Sequence, residues 1–134
     1  MTRLADIEGI GKVYSAKLKA AGVSTTEALL KEGATPQGRE SLAKRAGISA
    51  TLILEWVNLA DLFRIKGVAE EYSDLLEEAG VDTVPELAQR NPANLHQALV
   101  ETNGVKNLVR RLPSKSQVAD WVTQAKRLPR VVEY

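Results

Sequence analysis

Gly9 and Gly11 stand on either side of Ile10 at the start of a helix-like run, and Lys12, Lys17 and Lys19 follow on that run. A glycine pair in such a place leaves backbone N–H groups with no Cβ in front of them. The first turn of the following helix adds unpaired donors and the positive end of the helix dipole. The ligand that answers this description is an anion, a phosphate above all. Lysines on the adjoining helix would contact neighbouring phosphates, which fixes position on a duplex without reading its bases. Gly9, Ile10, Gly11, Lys12, Lys17 and Lys19 are therefore the candidate DNA-binding residues. A plainer reading stands beside this one: the glycines let the chain turn and two helices approach, and the lysines form a solvated face. Glu8, inside the same turn, opposes an anion unless its side chain points away.

Other chemistries find little to work with. The chain has no cysteine, so disulfides, iron–sulfur clusters and thiolate zinc sites are excluded. The single histidine, His96, has no second histidine or cysteine as partner for a metal or a nucleophile relay, and its setting in "PANLHQALV" suits the boundary of an amphipathic helix. Glu70, Glu71, Asp74, Glu77 and Glu78 are spaced as one solvated helical face, and no glycine-rich phosphate loop ending in Lys-Ser or Lys-Thr occurs. The expectation is a binding protein with no catalytic residues, no metal site and no cofactor.

Length and composition set the frame for these residues. The chain has 134 residues, 44% hydrophobic and 26% charged, which suits one medium domain or two very small ones. No apolar run approaches the roughly 20 residues of a membrane helix, and "MTRLADIEG" lacks the apolar core of a signal peptide, so no membrane partner and a cytoplasmic location are expected. The net charge of +1 conceals three blocks. Arg3 to Lys19 carries a local +2 and Lys66 to Glu86 a local −6. The stretch from Asn103 is basic again through Lys106, Arg110, Arg111, Lys115, Lys126, Arg127 and Arg130.

The elements that must position the glycines come from an internal repeat. At an offset of 58 residues Ile7, Gly9, Tyr14, Ser15, Leu18, Ala21, Gly22, Val23 and Thr25 meet identical residues at 65, 67, 72, 73, 76, 79, 80, 81 and 83. At an offset of 65, Ser49, Trp56 and Val57 meet Ser114, Trp121 and Val122, which implies a seven-residue insertion in the second copy. The chain reads as a duplication of a unit of about 60 residues, with units at 1–63 and 64–134.

Both units read as helical. Ile10, Tyr14, Leu18 and Ala21 fall at helical spacing and Gly22 stops the run; Pro36 opens a helix that Gly47 closes; Ser49 caps a segment whose apolar face includes Ile53, Trp56, Val57 and Ala60. In the second unit Asp82, Asn91 and Ser114 are the cap candidates, with Pro92 in a first turn and Ser114 to Gln117 as a capping box. No run alternates long enough for a sheet, "RVVEY" included. The expected class is all-α, with four to five short helices per unit and the aromatic residues mostly in the core.

The turn "IEGIGKVYSAKLKAAGV" resembles the helix-hairpin-helix motif, and the duplicated chain resembles a bacterial family of uncharacterised proteins built from tandem helix-hairpin-helix units. "AGIS" and "LPS" would be the degenerate second hairpins of the two units. The resemblance implies sequence-independent binding of the DNA backbone through the first hairpin, and a monovalent cation on the loop carbonyls of residues 7 to 12. The second hairpin departs from the motif: Ala69 replaces the later glycine and Glu70, Glu71 and Asp74 follow, so it is expected not to bind DNA. The alternative function is a protein–protein adaptor or a self-associating scaffold, through the acidic helix around 69–79 or the tail "LPRVVEY".

Overall fold

Glycines and short polar residues punctuate this sequence at the places where its helices begin and end. The structure, a computed structural model, describes residues 3–7, 9–68 and 70–134. The fold is all-α. Among the described residues there are eight α-helices: α1 Lys12–Ala20, α2 Thr26–Glu32, α3 Pro36–Ala46, α4 Ala50–Leu62, α5 Glu70–Glu78, α6 Val84–Ala88, α7 Pro92–Lys106 and α8 Lys115–Arg127. A 3-10 turn, Leu4–Asp6, precedes them, and the one extended pairing is an isolated bridge between Arg3 and Thr25.

The ends of the helices are set by side chains of the expected kind. Thr25 Oγ1 accepts from the Ala28 N–H at 3.1 Å, and Thr35 Oγ1 from Gly38 at 3.0 Å with Pro36 in the first turn. Ser49 Oγ accepts from Thr51 at 3.1 Å, and Asn91 Oδ1 from Asn94 at 3.1 Å. Ser114 and Gln117 form the reciprocal capping box, with Ser114 Oγ accepting from the Gln117 N–H at 3.1 Å and Gln117 Oε1 from the Ser114 N–H at 2.8 Å. The cap of α6 is Thr83, whose Oγ1 accepts from Glu86, and not Asp82, which lies one residue too early. After α1 the Val23 N–H reaches the Leu18 carbonyl at 2.8 Å and the Gly22 N–H the Lys19 carbonyl at 3.0 Å, with Gly22 at φ +93°. This six-to-one and five-to-two closure requires a left-handed residue, hence the glycine.

By their contacts the residues fall into two compact units, Met1–Asp61 with Val131–Tyr134, and Leu62–Arg130. In the first, α1 lies against α3 and α2 against α3, and the interior includes Ile7, Leu18, Leu29, Leu42, Ile53 and Trp56. The last four residues, which the sequence grouped with the second half, return here because Val132 is buried and the Glu133 N–H donates to the Ala34 carbonyl at 2.7 Å. In the second unit α6 and α7 pack on α8 and α5 packs on α7, around Ile65, Leu76, Leu87, Leu99, Val118 and Trp121.

The turn before each unit's first long helix has one geometry. Gly9 has φ +91° and Gly67 φ +94°; the Ile10 N–H donates to Ile7 at 3.2 Å and the Val68 N–H to Ile65 at 3.1 Å. Beneath the turns, Tyr14 and Trp56 meet at 5.0 Å and 58°, and Tyr72 and Trp121 at 5.3 Å and 51°. A Cβ on Gly9 would stand 3.4 Å from Trp56 Nε1, and one on Gly67 3.1 Å from Trp121 Nε1. The positive φ and the indole below both favour glycine at these two places.

Candidate nucleic-acid interface

The first turn and α1 hold all six candidate residues, and the structure separates their roles. Ile10 is buried and anchors the turn from below, so it presents main chain only. Gly9 is exposed but shaped for the turn and for Trp56. Gly11 differs from both: it is the N-cap of α1 at an ordinary φ of −88°, is exposed, and a Cβ there would meet nothing within 4 Å. Neither close packing nor left-handed backbone requires a glycine at position 11.

Among the described residues no side chain caps α1, and its first turn holds no acidic residue. The other described N-caps with oxygen-bearing side chains take up an amide of their own helix, as Thr25, Thr35, Asn91 and Ser114 do. The start of α1 therefore presents N–H donors and the dipole's positive end on an exposed surface. Asp6, the nearest described carboxylate in sequence, pairs with Arg3 at 3.4 Å. Glu8, the residue that opposes an anion in this turn, lies outside the described residues, as does Ala69 of the second turn.

The three lysines do not form one group. All are exposed, but at 3.6 residues per turn Lys12 and Lys19 project within about 20° of each other while Lys17 projects about 140° from Lys12. Lys12 and Lys19 are about 10 Å apart along the axis, close to three base-pair rises on one strand. Lys17 Nζ sits 6.0 Å from the centre of the Tyr14 ring. Lys17 and Lys19 also fall in the last turn of α1, where a cation stabilises the helix end whether or not a ligand is present.

The second turn is tied to α8 at Lys66. Gln124 on α8 donates from Nε2 to the Lys66 carbonyl at 3.0 Å and accepts at Oε1 from the Lys66 N–H at 2.8 Å, while Asp120 accepts from the same Nε2 at 2.9 Å. At the matching position of the first unit stands Leu59, which is buried and can make no such clamp. Part of the acidic charge of α5 is also met locally, because Glu78 accepts a hydrogen bond from Lys106, which raises the lysine pKa.

Of the remaining candidates, His96 is half-buried on α7 with Nε2 3.1 Å from the Pro113 carbonyl, a link from the helix to the following loop. No group of three or more His, Cys, Asp or Glu side chains among the described residues is placed to hold a metal ion. In the loop expected to hold a monovalent cation, residues 7 to 12, Glu8 lies outside the described residues and the Ile7 carbonyl accepts from the Ile10 N–H at 3.2 Å. Arg39 passed unnoticed in the sequence. It is 6% exposed on α3, where Nη1 donates to the Gly33 carbonyl and Nη2 to the Glu133 carbonyl, each at 2.8 Å. Burial draws its pKa below the usual arginine value, with the nearby Tyr134 acting in the opposite direction. Its surroundings in "PQGRESLAKRAG" read as a polar helix face, which gave no signal of a buried arginine.

These features define an all-helical protein with two compact units, in which the start of α1 carries no side-chain cap and lies beside exposed lysines. The chain belongs to a family known as a domain of unknown function, DUF4332, whose pattern matches residues 8–128. No solved structure matches the chain. No helix among the described residues is long and apolar enough to cross a membrane.

Proposed function

We propose that this protein is a module that binds the DNA backbone without regard to sequence, through the turn of Gly9, Ile10 and Gly11 and the lysines at 12 and 19, with Lys17 at the flank. The observation that carries the reading is the open N-cap at Gly11. A duplicated helix-hairpin-helix architecture belongs to the same proposal. It is supported by the matched glycine φ values, turn hydrogen bonds and Tyr–Trp pairs at positions 58 or 65 residues apart. In this reading the first copy keeps the ligand site and the second, clamped by Gln124 and followed by an acidic helix, keeps the turn as structure. The protein acts by binding and not by catalysis, and a monovalent cation on the carbonyls of residues 7 to 12 would add positive charge at the same place.

The magnitudes are modest. Two or three lysines with one helix start neutralise roughly three phosphates, so log K falls with log salt at a slope of about −3, and affinity at physiological salt sits at or below the non-specific range of about 10⁻⁴ to 10⁻⁶ M. Fluorescence anisotropy of labelled duplexes of different sequence, across a salt series, tests the reading. Equal affinities with a slope near −3 support it; no binding at low salt, or binding without salt dependence, contradicts it.

A further inference from the structure

The last residues are held in the first unit as a peptide ligand is held. Val132 is 2% exposed. The main chain of Glu133 is bonded on both sides, its N–H to the Ala34 carbonyl at 2.7 Å and its carbonyl to Arg39 Nη2 at 2.8 Å. The Tyr134 ring lies 5.9 Å from the Arg39 guanidinium carbon, and its hydroxyl donates to Asn58 Oδ1 at 2.8 Å. Paired main chain supplies affinity for an extended segment; here the Glu133 main chain is paired, Val132 is enclosed, and the Tyr134 ring, 58% exposed, is held at the surface by Arg39 and Asn58.

The groove favours being filled. Arg39 is 6% exposed with the segment in place, and the filled groove gives its guanidinium the Glu133 carbonyl and the Tyr134 ring in addition to the Gly33 carbonyl. The segment after α8 carries no helix or strand, so it can leave without melting an element. Exchange of an identical segment between two copies is a low-cost route to a dimer.

We propose that Ala34, Arg39 and Asn58 form a peptide-recognition groove for an extended aliphatic–any–tyrosine segment, filled in cis by Val132–Tyr134, and that its occupant in trans is this segment of a second copy. The groove is independent of the phosphate reading. The attached tail competes at an effective concentration in the millimolar range, so exchange in the wild type is confined to high protein concentration.

Two full-length variants separate ligand from groove. Val132→Asp spoils the tail and leaves the groove; Arg39→Met spoils the groove and leaves the tail. Each alone should sediment at the monomer mass of 14.6 kDa, and an equimolar mixture should form a one-to-one complex. A mixture that stays at the monomer mass overturns the proposal. In a second arm, a labelled LPRVVEY peptide should bind the Val132→Asp chain at least about tenfold more tightly than wild type, because the competing tail is gone. Equal binding overturns the groove, and peptide binding without the mixed complex overturns the second copy as its occupant. If Val132→Asp loses its helical circular dichroism, Tyr134→Ala replaces it in both arms with the same expectations and the same refutations.

Discussion

At the scale of single residues, two glycines two positions apart do different work. Gly9 is held by a positive φ and by the indole of Trp56, so replacing it tests the fold. Gly11 has neither constraint, so replacing it tests access to the helix start. The lysines divide in the same way. Charge reversal at Lys12 or Lys19 should lower DNA affinity several-fold and reduce the magnitude of the salt slope by about 1 each, read by anisotropy. Reversal at Lys17 should have the smaller effect, because it projects away from the other two and lies by Tyr14. The pair of glycines was legible as a turn in the sequence. The difference between them was not, because it depends on Trp56, which is remote in the chain and adjacent in space.

At the scale of elements, caps and stops were legible because they are local. Gly22, Gly47, Asn91 and Ser114 act over a few residues, and each stands where its type predicts. Asp82 was displaced by Thr83 because two adjacent residues can both cap, and only the backbone angles decide between them. The clamp of Gln124 on Lys66 was not legible, since nothing in a glutamine on a helix announces a turn 58 residues earlier. Gln124→Leu should destabilise the chain by about 1 kcal/mol in urea unfolding, for loss of hydrogen bonds to main chain at an exposed site, with DNA affinity unchanged. Trp56→Ala and Trp121→Ala should each cost about 3–5 kcal/mol, as buried aromatic truncations do, and only the first should also disturb DNA binding. The link of Lys106 to Glu78 has an alkaline signature. Glu78 raises the lysine pKa above its ordinary 10.5, so the stability it contributes is present below that value and lost as pH rises through the folded-state value. Lys106→Gln should flatten the decline in denaturation midpoint across that range.

At the scale of the molecule, the all-α class followed from composition and periodicity, while the path of the last residues did not. "RVVEY" was too short to read as a strand, and the tail "LPRVVEY" read as an exposed interaction patch, whereas Val132 is buried. Its place is fixed by a buried arginine on α3 and by Asn58 on α4, contacts between residues far apart in sequence. Net charge carried little weight, because the blocks that sum to +1 lie on different elements and one of them is partly offset by Lys106. The proposed function turns on whether the start of α1, which carries no side-chain cap, is open to a ligand.

The most direct measurement uses Gly11→Asp. Aspartate is a better N-cap than glycine by a few tenths of a kcal/mol and its carboxylate would take up the amides offered to a phosphate. Thermal unfolding and anisotropy on the same protein should then move in opposite directions, with stability equal to or above wild type and duplex affinity lowered about tenfold or more at low salt. A variant that is as stable as wild type and binds duplex equally well would contradict the phosphate site.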